Sequence, residues 1–194
     1  MQLADGFVRI QSMSYLMSNY AQGTLARMLE VARAEVGTVE GPKNNQTKYG
    51  AFTQRDFLPW CGSFLMWCAH EAGVSIPDVV STIDGAAHFK ANRRWYDSPM
   101  VGDLVFFAWD NPNVIQHVGL VIRIATNQIV TCEGNTAPPT GSQSNGGQVM
   151  LKSRPTGARS GIAGYGRPVY KLPIAPPIKP ISTPAPASEG ITKP

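Results

Sequence analysis

The sequence predicts an α+β domain with N-terminal helices packed on an antiparallel β-sheet, and three observations carry that prediction. Helical periodicity is strongest early in the chain, around residues 24–36 and 61–72. From residue 103 onward the texture changes to short stretches rich in β-branched and aromatic residues. Turn clusters ("NPN", "ATN" and "GNTAPPTGSQSNGG") separate those stretches. Helices first and strands after is the order of an α+β domain.

The elements follow in order. Residues 1–22 show no clear periodicity and read as an N-terminal arm. Thr24 is placed to cap a helix running to Val36, in which Leu25, Met28, Leu29, Ala32 and Val36 recur at helical spacing before Gly37 stops it. "EGPKNNQTKYGAF" (40–52) reads as a polar loop punctuated by Gly and Pro. A second helix is expected from Cys61 or Gly62 to just before Gly73. The segment around His88 fits helix or loop. Strands are expected at "DLVFFA", "QHVGLVIRI", "QIVTCE", "GQVMLK" and "RPVYK". Seven of the 16 prolines fall in residues 172–194, which therefore read as a semi-extended linker leading to a further module. The domain proper is thus expected over residues 23–171.

With 194 residues the chain has room for one sizeable core and little more. A net charge of +4, scattered rather than gathered into a basic run, gives no sign of a nucleic-acid partner and suits an anionic polymer equally well. No apolar run approaches the ~18 residues of a membrane helix, so no membrane partner is expected. The N-terminus lacks a cationic start, an apolar stretch and a small-residue cleavage site, so no secretory signal is expected. Three cysteines cannot all pair, so at least one free thiol or an intermolecular bond is expected.

Chemistry concentrates on one of those cysteines. In "PWCGSFLMWCAHEAG" (59–73), Cys61, Leu65, Cys68 and Ala72 share one helix face and point to the core. Cys61 alone sits in the first turn, where the helix dipole and unpaired N–H groups favour a thiolate. Cys68, two turns further in, reads as packing. Of the three histidines, His70 lies about 180° around the helix from Cys61, and His88 has no geometric tie to it. His117 sits in an apolar strand, where an unpaired ring would be costly. Alternation on the next strand puts Thr131, Glu133 and Asn135 on one face, offering a carboxylate or an amide to the far ring nitrogen. Cys61, His117, Glu133 and Asn135 therefore make a candidate thiol-dependent catalytic set. A second oxyanion donor is sought upstream, at Asn45, Gln46 or Tyr49. A zinc site from Cys61, Cys68 and His70 fails because His70 points away.

These stretches, with "MVGDLVFF", "HVGLVI", "EGNT" and "IAGYGRPVY" following in order, resemble the cysteine- and histidine-dependent amidohydrolase/peptidase (CHAP) family of peptidoglycan hydrolases over about residues 24–170. The resemblance implies a papain-like fold, with Cys61 as nucleophile, His117 as base, Glu133 as orienting acid and Asn135 as a fourth polar member. The lead before the nucleophile and the proline-rich tail look similar to those of phage endolysins. Such enzymes act on the wall after release by a holin and cut the N-acetylmuramoyl–L-alanine amide or a peptide cross-bridge. The implied partner is peptidoglycan, with a C-terminal wall-binding module beyond the linker, and no cofactor. The calcium loop of some members is not matched, since "KNNQTKYG" carries lysines and amides in place of carboxylates. Two rivals remain: a wall-binding or phage-structural module that has lost catalysis, and an NlpC-type peptidase with the same chemistry on another substrate.

Overall fold

A computed structural model describes residues 20–172 of the chain, so the expected arm and proline-rich linker lie almost wholly outside the described residues. Within them, four helices precede a six-stranded, fully antiparallel sheet. The expected α+β class, helices packed on an antiparallel sheet, is the observed one.

Helix α1 (Leu25–Ala34) starts at Thr24, whose side chain accepts from the Arg27 N–H at 3.3 Å. It ends two residues short of the predicted Val36 because the chain is drawn off to the sheet. Gly37 N–H donates to Val149 O (2.9 Å), and Val149 N–H to Thr38 O (2.8 Å). The predicted loop 40–52 is corrected in part: it contains a short helix, α2 (Lys48–Phe52), whose cap Thr47 accepts from Gly50 N–H. Helix α3 (Cys61–Ala72) has the predicted span and stops at Gly73 in the left-handed conformation. Cys61, Leu65, Cys68 and Ala72 are all buried, as their shared face requires. Helix α4 (Thr82–Ala91), capped by Ser81, resolves the segment around His88 as helix.

The strands are β1 (Trp95–Tyr96), β2 (Leu104–Phe107), β3 (His117–Ala125), β4 (Gln128–Thr136), β5 (Gln148–Pro155) and β6 (Ile162–Gly166), in the order β1-β6-β2-β3-β4-β5. One predicted strand is corrected. "RPVYK" forms no strand; its neighbour Ile162–Gly166 does, and Lys171 makes only an isolated bridge to Thr24. Pro168 has no N–H to continue a ladder, and Arg167 N–H donates instead to Arg94 O.

Alternation along the strands divides the apolar residues between two faces. Leu104, Phe106, Val118, Leu120, Ile122 and Cys132 join Met28, Ala32, Phe64, Leu65, Cys68 and Phe89 in the main core beneath the helices. Val105, Phe107, Val121, Ile129 and Tyr165 form a smaller cluster on the other face, edged by Trp109. Two glycines permit close approaches that fix the site. A Cβ at Gly62 would fall 2.1 Å from Val79 O, so the 79–80 backbone lies directly against the α3 tip. A Cβ at Gly119 would fall 2.7 Å from Glu133 Cγ, so that strand position must be bare for the Glu133 side chain to fold across it. No helix among the described residues is long and apolar enough to cross a membrane.

Candidate active site

Cys61 is the first residue of α3, and no side chain caps that helix. The unpaired N–H groups of the first turn are therefore left to other acceptors. Burial alone would push the Cys61 thiol pKa up. The charge of His117, a hydrogen bond with it, and the backbone N–H groups of Val118 and Gly62 outweigh burial and bring it down. The other two thiols go the opposite way. Burial raises Cys68 well above the ordinary range, and burial with the nearby Glu133 charge pushes Cys132 up to about 12. All three cysteines are free and buried, and only Cys61 is acidified.

His117 opens β3 opposite Phe107 of β2 and is fully buried. Its Nε2 lies 3.0 Å from Glu133 Oε2. Nδ1 has no hydrogen-bond partner of good geometry among the described residues. Nε2 is taken by Glu133, which leaves Nδ1 as the ring nitrogen open to a second partner, and the nearby Cys61 thiol favours the charged ring. Trp109 stacks on the imidazole with centroids 5.6 Å apart and planes 28° apart. Burial would lower the His117 pKa, but Cys61 and Glu133 together hold it up. Thiol and imidazole thus favour each other's charged form, which is the condition for a thiolate–imidazolium pair.

Glu133 is fully buried, and both of its oxygens are engaged. Oε2 faces His117 and accepts from Arg154 Nη2. Oε1 accepts from Arg154 Nε at 2.9 Å and from the Thr131 hydroxyl. Burial pushes this carboxyl up, yet the hydrogen bonds from Arg154 and His117 bring it down to about 2. Arg154 in turn lies over the rings of Phe107 (5.3 Å) and Trp109 (5.1 Å).

Asn135 is not brought to the imidazole. Between Glu133 and Thr136 the β4–β5 register slips by one residue, and Asn135 takes a left-handed φ of 56°. This bulge ends the alternation that would have kept it on the face of Glu133. Its amide instead donates to Asn145 Oδ1 (3.2 Å) and accepts from Gly147 N–H (3.2 Å), pinning the 137–147 loop.

No hydrogen bond joins Asn45, Gln46 or Tyr49 to Cys61, His117 or Glu133. Tyr49 is buried with its hydroxyl on Glu35 and its ring stacked on Trp60. Asn45 is buried with φ 58° and an unpartnered Oδ1, and Gln46 O accepts from Gly41 N–H. His70 and His88 are exposed. Among the described residues no group of three or more His, Cys, Asp or Glu could hold a metal ion. Sequence reasoning missed Arg154, Phe107 and Trp109. The signal for Arg154 was a carboxylate expected in an apolar strand, which needs a cation or several donors.

The CHAP domain family model matches residues 53–135, the segment that contains Cys61, His117 and Glu133. No curated protein matches the chain. Among solved structures, an NlpC/P60 family protein from Bacillus cereus ATCC 10987 is similar over 76% of this chain, with a TM-score of 0.44 and 15% identity. The chain spans 41% of the length of that protein.

Proposed function

We propose that this chain is a cysteine-dependent hydrolase of the bacterial cell wall, an N-acetylmuramoyl–L-alanine amidase or peptide endopeptidase of the endolysin type. The observation that carries the reading is the buried row Cys61–His117–Glu133: an acidified thiol at a bare helix tip, acting on an imidazole whose other nitrogen is held by a carboxylate. The CHAP family match over the same residues supports peptidoglycan as the substrate class.

In this reading the Cys61 thiolate attacks the amide carbon, and the first-turn N–H groups of α3 receive the developing oxyanion. His117 gives its Nδ1 proton to the departing amine as the C–N bond breaks, leaving a thioester on Cys61. The neutral imidazole then takes a proton from water, whose oxygen attacks the thioester, and the thiolate leaves to restore the pair. Glu133 keeps Nε2–H directed and steadies the imidazolium by charge. In this reading the enzyme reaches the wall after holin-type release, with catalysis carried by residues 23–171. Cys61→Ala removes the nucleophile without adding bulk, so wall suspensions should stay turbid while the far-UV circular dichroism is unchanged. Clearing at the wild-type rate would reject the assignment. Mass spectrometry of fragments from purified peptidoglycan then names the bond.

A further inference from the structure

Glu133 is a fully buried carboxylate that must be ionised and correctly aimed to serve His117, and the strand that carries it supplies neither condition alone. Both come from β5. The Arg154 guanidinium meets Glu133 with two prongs, Nε on Oε1 and Nη2 on Oε2, while its third nitrogen, Nη1, donates to Gln143 Oε1 at 3.0 Å. Its side chain is 11% exposed, and its flat face lies over Phe107 and Trp109, the two rings that also flank His117. The guanidinium is thus fixed in plane by the carboxylate and in height by the aromatic pair. A fork so held leaves Glu133 little rotational freedom about its carboxyl. Without it, the buried carboxylate would keep only the Thr131 hydroxyl and the imidazole as partners.

We propose that Arg154 is a positioning residue whose two-pronged bond keeps Glu133 ionised and aimed at His117, and so sets the pH at which the Cys61–His117 pair becomes reactive. The inference rests on the reading of Cys61 and His117 as a reactive pair. It does not depend on the identity of the substrate. The ionisable groups facing the cluster are Cys61 from α3, His117 from β3, Glu133 from β4, and Lys152 and Arg154 from β5.

The test is site-resolved alkylation of Cys61 by iodoacetamide across pH 3–9 in the full chain, read by mass spectrometry. Labelling follows the thiolate and uses no wall substrate. Replacing Arg154 by Met removes the charge and the fork but keeps apolar bulk over the rings. Glu133 then holds its proton to higher pH, the imidazolium loses its counter-charge, and the onset of labelling should move up by about one pH unit, the low end of the shift an adjacent opposite charge produces. Arg154→Lys keeps the charge without the fork, so its onset should fall between wild type and Arg154→Met. In a Glu133→Gln background, Arg154→Met should add no further displacement. Gln143→Ala cuts the tie between Arg154 and the 137–147 loop, together with the Gln143 bonds to loop carbonyls of Ala137, Pro138 and Gly141, leaves the fork on Glu133 intact, and should label as wild type.

An unmoved or lowered onset in Arg154→Met overturns the proposal, as does an equal displacement in Gln143→Ala, which would make loop anchoring the cause. If Arg154→Met does not fold, a wild-type profile in Arg154→Lys overturns it alone. A chain that never clears walls yet shows the displacement keeps Arg154 and rejects the hydrolase. A chain that clears walls with an unmoved onset does the reverse.

Discussion

At the scale of single residues, two candidates competed for the same task and only one reaches the ring. Glu133 Oε2 stands 3.0 Å from His117 Nε2, whereas the Asn135 amide is spent on Asn145 and Gly147. Replacing Glu133 by Gln keeps the shape and removes the charge, so turnover should fall at least ~10-fold, the effect of weakening a general base's charge support. Asn135→Ala should reduce turnover less and mainly loosen the 137–147 loop, seen as faster amide exchange there. A dead Asn135→Ala beside an active Glu133→Gln would reverse the two roles. The placement of Cys61 and His117 was legible from the sequence because each rests on a local rule: first turn of a helix, polar ring in an apolar strand. Choosing between Glu133 and Asn135 required knowing that alternation breaks at a bulge, and "EGNT" gives no sign of which residue is the extra one. Arg154 was hidden for a related reason. It pairs opposite Ile129, and the long 137–147 loop conceals that register until the strands are seen together.

Among elements, the helices and the central strands were read well because their periodicity is strong and their ends carry Gly, Thr or Pro. The misreadings fall on short pieces. Helix α2 has five residues, one of them glycine, and its helicity comes from the Thr47 cap and from packing that no local pattern announces. Strand β6 is the glycine-rich "IAGYG", which has weak strand propensity and is held by pairing with β1 and β2 on either side. The element that matters most to the site is the tip of α3, and its position depends on Gly62. A methyl group there would meet the Val79 carbonyl, a backbone atom that cannot swing aside. Gly62→Ala should therefore destabilise by about 1–3 kcal/mol, as overpacking does, and should also lower the rate of Cys61 alkylation by displacing the tip. A melting temperature equal to wild type would show that the 79–80 segment yields freely.

For the molecule as a whole, two pH effects follow from the buried row. In the proposed mechanism activity needs the His117 proton, which the pair holds to about pH 9, so kcat/KM should be bell-shaped with its alkaline limb near that value. A rate still climbing past it would show an unactivated thiol. Stability should depend on Glu133 at the acid end. Its folded pKa is depressed from 4.5 to about 2, so its contribution is fully present above 4.5 and is lost as pH falls toward 2. That contribution is on the order of 3 kcal/mol by linkage. Thermal melts of Glu133→Gln should therefore lose much of the wild-type slope between pH 2 and 5. The strand order has a consequence for timing as well. Because β6, late in sequence, inserts between β1 and β2, the sheet cannot close until residue 166 has been synthesised. Cys61, His117 and Glu133 all leave the ribosome earlier, yet a nascent chain stopped at residue 160 should neither protect its amides nor label selectively at Cys61. A buried row carried by this sheet is completed only when the last strand is laid in.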